Sequence, residues 1–237
     1  MTYISFGLIA FALINREPVF ILVQRAESIP YILFVTNTLH KVDTSIANLE
    51  ELLLTMTNTE KENILKSTEP GLQKNKEKYK HILEKKTDHV LEWSFPKGRK
   101  GKKENIMNGV QIAVREFEEE TIFKKKQIEY IFRNDVYSYT KMGSDNKAYK
   151  YILYPAIINV QSLLKLCDRN SDETDIKKYE NPKDLCIIFP NKTNETSNVS
   201  LMGINALQTQ VGVTSDIKSF LTSIYDNICR LSHLVVH

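Results

Sequence analysis

The sequence has few cysteines and no segment long enough to cross a membrane. Its three cysteines, Cys167, Cys186 and Cys229, are widely spaced and include no C-x-x-C pair. Such a set encodes neither a disulfide framework nor a zinc cluster, and it favours a reducing compartment. The apolar run 4–14 is shorter than the roughly 20 residues of a membrane span and lacks the basic flank of a secretory signal. We therefore expect a cytoplasmic protein that is not secreted and has no membrane span.

Charge is nearly balanced over the whole chain but is unevenly distributed along it. The formal net charge of +3 is too small to predict a partner. Between Lys61 and Lys103, however, 13 basic residues face 6 acidic ones, so this segment carries +7 and the remainder of the chain −4. A basic segment suits a long polyanion such as RNA, although lysine is also the commonest residue on a solvated helix.

Hydrophobic patterning divides the chain into three parts. Two β-rich runs, 4–14 and 19–24, flank a turn sequence and predict a hairpin in a first part, 1–29. Helical spacing then predicts a helical insertion over 30–88. In the third part, 89–237, we predict a helix over 110–120, aromatic strands over 130–139 and 149–160, a long loop over 168–200 with one short strand at 185–189, and a last helix over 215–231.

Four carboxylates lie within five positions near the end of the predicted helix 110–120. Like charges at i,i+3 and i,i+4 repel, so something should compensate them. At about 100° per residue, Glu116, Glu119 and Glu120 share one face while Glu118 points away. Carboxylate oxygens suit Mg²⁺ or Mn²⁺, whereas an isolated acidic run is more typical of a solvated face. The residues that precede the run decide between these two interpretations.

The acidic run and the residues before it resemble the Nudix box of pyrophosphohydrolases. The matching residues are Gly98, Glu104 and the run Arg115-Glu116-x-x-Glu119-Glu120. The usual form of that box is G-x5-E-x7-R-E-U-x-E-E-x-G-U. Gly98 and Glu104 fit the first spacing, but ten residues rather than seven separate Glu104 from Arg115. Loop closure depends weakly on length, so the insertion is tolerated. The resemblance identifies the three glutamates as metal ligands in a box that spans 98–123.

Two features of the box depart from the family pattern. Ile122 stands where the family has its second glycine, so the helix must end without the positive φ that glycine allows. A second alignment starts at Gly101 and keeps the spacing to Arg115, but it puts Met107 in the first glutamate position. We prefer the alignment that retains Glu104.

The sequence around the box narrows the resemblance. The Phe-Pro-Lys-Gly lead-in at 95–98 is similar to that of the mRNA-decapping branch and of the diphosphoinositol polyphosphate phosphohydrolases. The resemblance extends over most of 4–160, to the Nudix decapping proteins of asfarviruses and poxviruses. It then includes the run Ile21-Leu-Val-Gln-Arg25, the helical insertion and the run Lys147-Ala-Tyr-Lys-Tyr151. The resemblance implies an α/β (α+β) fold, an α/β/α sandwich with a mixed sheet, into which a small helical domain is inserted.

The resemblance also implies the activity and the role of each site residue. A viral protein of this kind would remove the 5′ cap from mRNA in the host cytoplasm, with Mg²⁺ or Mn²⁺ bound by Glu116, Glu119 and Glu120. Arg115 and Glu104 are expected to form a structural ion pair, and Lys97 and Gly98 to lie near the substrate phosphates or RNA. The further downstream glutamate that the family places near its metals is not marked by any motif, and Glu180 is one candidate.

The substrate stays open at this point. The same lysines that suit capped RNA would attract diphosphoinositol polyphosphates or dinucleoside polyphosphates. An inactive Nudix-fold scaffold that binds RNA is the third interpretation, although all three metal-facing glutamates are retained. If RNA is the substrate, we expect the insertion to bind its body through four lysines, Lys74, Lys76, Lys78 and Lys80.

Overall fold

The apolar run near the amino terminus forms the hairpin at the centre of the sheet. The computed structural model describes residues 2–41, 46–101, 107–142, 148–159, 181–191, 193 and 195–235. Strands β1 (Thr2–Ile14) and β2 (Glu17–Arg25) pair antiparallel. Asn15 and Arg16 join them with φ of 52° and 69°, and two consecutive positive φ values match the right-handed twist of a tight hairpin. The predicted hairpin is confirmed.

Four helices with a small apolar core of their own follow β2. They are α1 (Ile29–Val35), α2 (Ile46–Leu54), α3 (Asn58–Lys66) and α4 (Pro70–Leu83). Their shared core includes Phe34, Leu53, Ile64 and Tyr79. Glu60 completes a capping box at the start of α3 and also accepts the backbone N–H of Ser28 at 2.6 Å. Its carboxylate therefore ties the beginning of the insertion to its third helix.

Nine strands form one mixed sheet in the described part of the chain. Besides β1 and β2 they are β3 (Trp93–Ser94), β4 (Lys97–Gly98), β5 (Ile128–Ile131), β6 (Tyr137–Met142), β7 (Ala148–Ile158), β8 (Cys186–Pro190) and β9 (Thr196–Met202). The order is β5-β7-β1-β2-β9-β8, with β3 on β2, β4 on β1 and β6 on β7. Strands β1 and β7 are parallel, and the other pairs are antiparallel.

Helices cover both faces of this sheet. Helix α5 (Gly109–Glu120) packs Ala113 and Phe117 against the face that carries Leu8 and Ala10. The short α6 (Ile204–Thr209) and the long α7 (Ser215–His233) pack on the opposite face, against residues such as Phe11 and Phe20. The α/β/α sandwich with a mixed sheet is therefore confirmed. None of the described helices is both long and apolar enough to cross a membrane.

The segment 168–200 differs from the predicted loop with a single strand. Strand β8 is close to the predicted one, but β9 also begins at Thr196 and lies between β2 and β8. Its polar sequence, Thr-Ser-Asn-Val-Ser, is typical of turns, so the pattern concealed it. Tertiary pairing supplies the strand instead, because Val199 and Leu201 reach the core while both neighbouring strands pair with it. Residues 160–180 lie outside the described part.

Candidate active site

Helix α5 begins close to the sheet because its first residue is a glycine. The side chain of Asn108 caps the helix and forms a capping box with Gln111. A Cβ on Gly109 would lie 2.5 Å from the hydroxyl of Tyr154 and 2.7 Å from the ring of Phe6. Only glycine permits this approach to β1 and β7, so the start of α5 is fixed against the strands. This contact positions the glutamates at the other end of the helix.

Glu116 lies directly against the backbone of β4. Its side chain is 9% exposed, and a Cβ added to Gly98 would overlap the whole Glu116 carboxyl group. Strand β4 is held in place by its pairing with β1, in which Gly98 lies opposite Phe6. Position 98 therefore requires glycine to leave room for this carboxylate. The contact gives Gly98 a structural role beside Glu116, while its expected position near the substrate phosphates stays a prediction.

Glu120 is bound to the neighbouring residue of the same strand. The backbone N–H of Lys97 donates to Glu120 Oε2 at 2.8 Å. Burial raises the pKa of Glu120 to about 7, and the nearby Lys97 charge opposes this effect. Burial likewise raises the pKa of Glu116, against the opposing effect of Arg115. The charges of Glu116 and Glu195 also raise the pKa of Glu120. Like charges therefore repel one another in this site, and a bound cation would relieve that repulsion.

Glu119 is directed toward Arg115. The Arg115 guanidinium donates to the carboxylates of Glu116 and Glu119 and to the carbonyl of Arg99, the last at 3.2 Å. The Glu119 side chain is 57% exposed. The expected partner of Arg115, Glu104, lies outside the described residues. In this geometry, no three acidic, histidine or cysteine side chains of the described residues are close enough to hold a metal.

A fourth carboxylate, which the sequence did not reveal, lies near this pair. Glu195 is next to Thr196, whose hydroxyl donates to the carbonyl of Glu120 at 2.9 Å, and the charge of Glu195 raises the pKa of both Glu116 and Glu120. Glu195 precedes β9, and its carbonyl accepts the backbone N–H of Ala26 at 2.9 Å. The candidate named from the sequence, Glu180, lies outside the described residues. No motif marks Glu195, because only the pairing of β9 with β2 brings it to the box.

The residue types around the box fit a hard divalent cation. We use the name box site for Gly98, Glu116, Glu120 and Glu195. Carboxylate oxygens are the ligands that Mg²⁺ and Mn²⁺ prefer, and Gly98 leaves the Glu116 carboxylate unobstructed by a side chain. Side-chain rotation would have to bring the three carboxylates together, since no such group of three converges among the described residues. The four α4 lysines belong to a different part of the described structure, the insertion. The structure thus separates the two groups of residues that the sequence singled out.

Helix α5 ends without the second glycine of the box. Thr121 has φ −125°, and its hydroxyl donates to the carbonyl of Phe117. The carbonyl of Glu120 accepts the Asn191 amide at 2.7 Å and the Thr196 hydroxyl at 2.9 Å. Asn191 and Thr196 are 4% and 2% exposed. Ile122 therefore needs no positive φ, and the expectation that the helix ends differently is confirmed.

Thr196→Val should weaken this substitute cap. Valine keeps the shape of threonine but leaves the Glu120 carbonyl and the Asn191 amide each without one partner. We expect the free energy of unfolding to fall by about 1–3 kcal/mol, and turnover to fall because Glu120 is less well fixed. Urea unfolding and single-turnover kinetics measure the two effects. The exposed Thr68→Val is the control; a Thr196→Val variant as stable and active as the parent contradicts the cap.

Comparisons with known proteins complete the description of the site. No protein-family model matches the chain. A curated protein of Acanthamoeba polyphaga mimivirus, named for mRNA decapping, is 41% identical over 91 residues, which make up 38% of this chain and only 22% of that relative. Two solved structures of Caenorhabditis elegans Ap4A hydrolase, one a binary complex, have TM-scores of 0.46 and 0.43 at 12% and 13% identity. Each structural alignment includes 96% of this chain, and the two alignments include 98% and 99% of the hydrolase chains.

The mimivirus relative bears on the resemblance stated from the sequence. Its name matches the viral decapping proteins that the box, its Phe-Pro-Lys-Gly lead-in and the flanking motifs resemble. Over those 91 residues, the resemblance of this chain to a viral mRNA-decapping protein is thus confirmed.

Proposed function

We propose that this protein is a divalent-metal-dependent Nudix hydrolase that removes the 5′ cap from RNA by cleaving a phosphoanhydride bond of the triphosphate bridge. The observation that carries the proposal is the box site. Glu116 lies against the backbone of Gly98, Glu120 accepts the backbone N–H of the neighbouring Lys97, and the charge of Glu195 raises the pKa of both carboxyl groups. Glu116 is buried and Glu120 half-buried, and holding like charges together in a partly buried site costs folding free energy, so a chain that retains them has a use for a bound cation there.

The residues of the box site have separate tasks in the proposed reaction. A bound Mg²⁺ or Mn²⁺ would supply a nucleophilic water and neutralise phosphate charge. Glu116 and Glu120 are the proposed metal ligands, because both are held by β4 and α5. Glu119 is the third ligand in the family pattern and would turn away from Arg115 to bind. Glu195 is the residue that we propose either accepts the proton of the attacking water or completes the ligand set.

Capped RNA is the proposed substrate on two grounds. The mimivirus relative is named for mRNA decapping. In addition, 8 of the 13 basic residues between Lys61 and Lys103 belong to the insertion, where they can attract the RNA body. A small substrate such as a dinucleoside polyphosphate has no body for these lysines to bind.

Product analysis tests the proposed function. The protein is incubated with cap-labelled RNA and, separately, with diphosphoinositol pentakisphosphate, each with and without Mn²⁺. We expect a cap nucleoside diphosphate to be released from RNA only when the metal is present. Hydrolysis of the inositol substrate alone would replace capped RNA as the substrate, and no hydrolysis of either would support the inactive scaffold.

The α4 lysines give a separate prediction about the RNA body. Lys74 and Lys78 lie about 40° apart around the helix, and both are exposed. Lys76 lies on another side and donates its ammonium group to the carbonyl of Ser67 at 3.0 Å. The double variant Lys74→Glu with Lys78→Glu should therefore bind capped RNA of about 30 nucleotides more weakly. The slope of log affinity against log salt concentration should also become shallower by about one unit.

The control uses the other two lysines of the same helix. Lys76→Glu with Lys80→Glu changes the same charge but removes a lysine that is already bound within the insertion. Affinity is measured at several salt concentrations for both double variants. Hydrolysis of a small dinucleotide should change little in either. If the parent and the Lys74/Lys78 variant bind RNA with equal affinity and equal salt dependence, these lysines form a solvated face.

A further inference from the structure

The chain passes twice between the sheet and the helices of the insertion. The entry crossing, 26–28, joins β2 to α1, and the exit crossing, 84–92, joins α4 to β3. Hinges between two parts of a protein are usually a few residues of this kind, at the ends of elements, because their backbone torsions can change. The contacts that hold the two crossings therefore decide whether the insertion has one fixed orientation.

The first turn of α3 holds the exit crossing at the insertion. The Asn58 amide donates to the carbonyl of Thr87 at 2.9 Å, and the Asn58 side-chain oxygen accepts the Thr87 N–H at 3.0 Å. Three residues later, the buried Lys61 donates its ammonium group to the carbonyl of Lys85 at 3.1 Å. A buried charge costs free energy unless it is hydrogen-bonded, so opening this crossing would take that bond from the ammonium group.

The entry crossing is held at both of its ends. The Glu60 carboxylate, in the same turn of α3, accepts the Ser28 N–H at 2.6 Å. At the other end, the Ala26 N–H donates to the carbonyl of Glu195 at 2.9 Å. Glu195 belongs to the box site, so this crossing connects the backbone of that site to α3.

The exit crossing is also fixed where it reaches the sheet. The Gln24 amide donates to the carbonyl of Leu91 at 3.1 Å, and the Gln24 side-chain oxygen accepts the Asn198 amide at 2.8 Å. The Arg25 N–H donates to the carbonyl of Glu92 at 3.3 Å. Each crossing is thus bonded toward the sheet at one end and to α3 at the other.

Several of these side chains line a cleft of about 520 Å³ between the insertion and the sheet. Gln24, Asn58 and Glu60 form part of its walls, and all three are hydrogen-bonded to the backbone of a crossing. A ligand would have to break those bonds before it could use these groups, which costs free energy. The cleft therefore has the features of a joint rather than of a ligand site.

We propose that Asn58 is a positioning residue that locks the exit crossing and so holds the insertion in one orientation relative to the box site, which makes long capped RNA a better substrate than a capped dinucleotide. The inference rests on the proposed function, in which the α4 lysines attract the RNA body. Binding at a remote part of a substrate speeds the reaction only when that part is fixed relative to the reacting bond. With the crossing loosened, the lysines would attract RNA without bringing its 5′ end to the box site.

The first test compares substrates of different length in Asn58→Ala, which removes both bonds to Thr87. The measured quantity is kcat/KM for capped RNA of about 30 nucleotides divided by kcat/KM for a capped dinucleotide. We expect this ratio to fall about tenfold, while kcat/KM for the dinucleotide stays within about twofold. Asn58→Asp keeps an acceptor for the Thr87 N–H and should restore part of the ratio. A general loss of stability would lower both substrates alike and leave the ratio unchanged.

Asn63→Ala is the matched control, since it removes the same side chain from the same helix. Asn63 is hydrogen-bonded to the Tyr31 side chain, within the insertion, instead of to a crossing. Both the ratio and the activity on the dinucleotide should stay within about twofold of the parent.

The second test follows cleavage by trypsin after Lys85 or Lys86 and needs no activity. Thr87 directly follows these two lysines, so opening of the exit crossing presents their peptide bonds to the protease. The cleaved bonds are identified by mass spectrometry of the full chain. We expect cleavage there to be about tenfold faster in Asn58→Ala than in the parent, and at most about twofold faster in Asn63→Ala.

Two results would overturn the proposal. Equal cleavage rates in the parent and Asn58→Ala would show that Asn58 does not lock the crossing. Faster cleavage with an unchanged ratio of the two substrates would show that the lock does not position RNA. If the parent hydrolyses the dinucleotide but not capped RNA, the proposed substrate and the role in positioning it fall together, and the cleavage rates still decide the lock.

Discussion

Glu120→Gln is expected to lower turnover by at least about two decades while leaving the fold intact, and Glu116→Gln should do the same. Each substitution removes one charged oxygen from a proposed metal ligand, and a lost ligand raises the barrier by several kcal/mol. Stability should not fall, since burial raises the pKa of both carboxyl groups and glutamine removes that cost. Turnover of cap-labelled RNA at saturating Mn²⁺ and thermal unfolding measure the two effects.

Glu118→Gln is the internal control for this prediction. Glu118 Oε1 accepts the backbone N–H of Lys125 at 2.8 Å, away from the box site, and glutamine retains an oxygen that can accept this bond. Its turnover should stay within about threefold of the parent. Glu195→Gln should reduce turnover by at least about tenfold if this carboxylate takes part in proton transfer. Turnover within threefold of the parent for both Glu116→Gln and Glu120→Gln would contradict the catalytic assignment.

Gly98→Ala should abolish most activity by a different route. The added Cβ would overlap the carboxyl group of Glu116, so that side chain must rotate away from β4. Because the β4 backbone is paired with β1, the strand has little freedom to move instead. We expect a loss of about two decades in kcat/KM, together with weaker Mn²⁺ binding. Calorimetric titration with Mn²⁺ and a steady-state assay measure the two quantities.

Gly71→Ala provides a matched control for the added methyl group. A Cβ at Gly71 would meet no atom within 4 Å, and the residue lies in α4. Alanine there should raise stability by about 0.5–1 kcal/mol without changing activity, as expected for a glycine replaced in a helix. Normal Mn²⁺ binding and activity in Gly98→Ala would show that the Glu116 carboxylate does not need its position against the strand.

The parts of the site that are local in sequence could be predicted. Glu116 and Glu120 share a helix, so helical spacing alone puts them on one side, and the structure brings both to β4. Glu119 could not be assigned this way. Helical spacing gives the direction of its Cβ but not the rotamer, and in this structure its carboxylate meets Arg115, one turn earlier.

The parts of the site that depend on tertiary pairing could not be predicted. Glu195, Asn191 and Thr196 reach the end of α5 because β9 pairs with β2, and the polar sequence of β9 resembles a loop. The sequence did indicate, through Ile122, that an ordinary glycine cap was missing. It could not show that residues from the β8–β9 connection replace that cap, since a hydrogen-bond partner distant in sequence leaves no local pattern.

Anomalous diffraction from crystals soaked in Mn²⁺ tests the box site most directly. We expect a manganese peak at direct coordination distance, about 2.0–2.2 Å, from carboxylate oxygens of Glu116 and Glu120, with Glu119 or Glu195 adjacent. The same soak of Glu120→Gln crystals should give a much weaker peak. No manganese at these carboxylates in the parent, or a peak of equal height in Glu120→Gln, would contradict a metal site built by the end of α5 and β4.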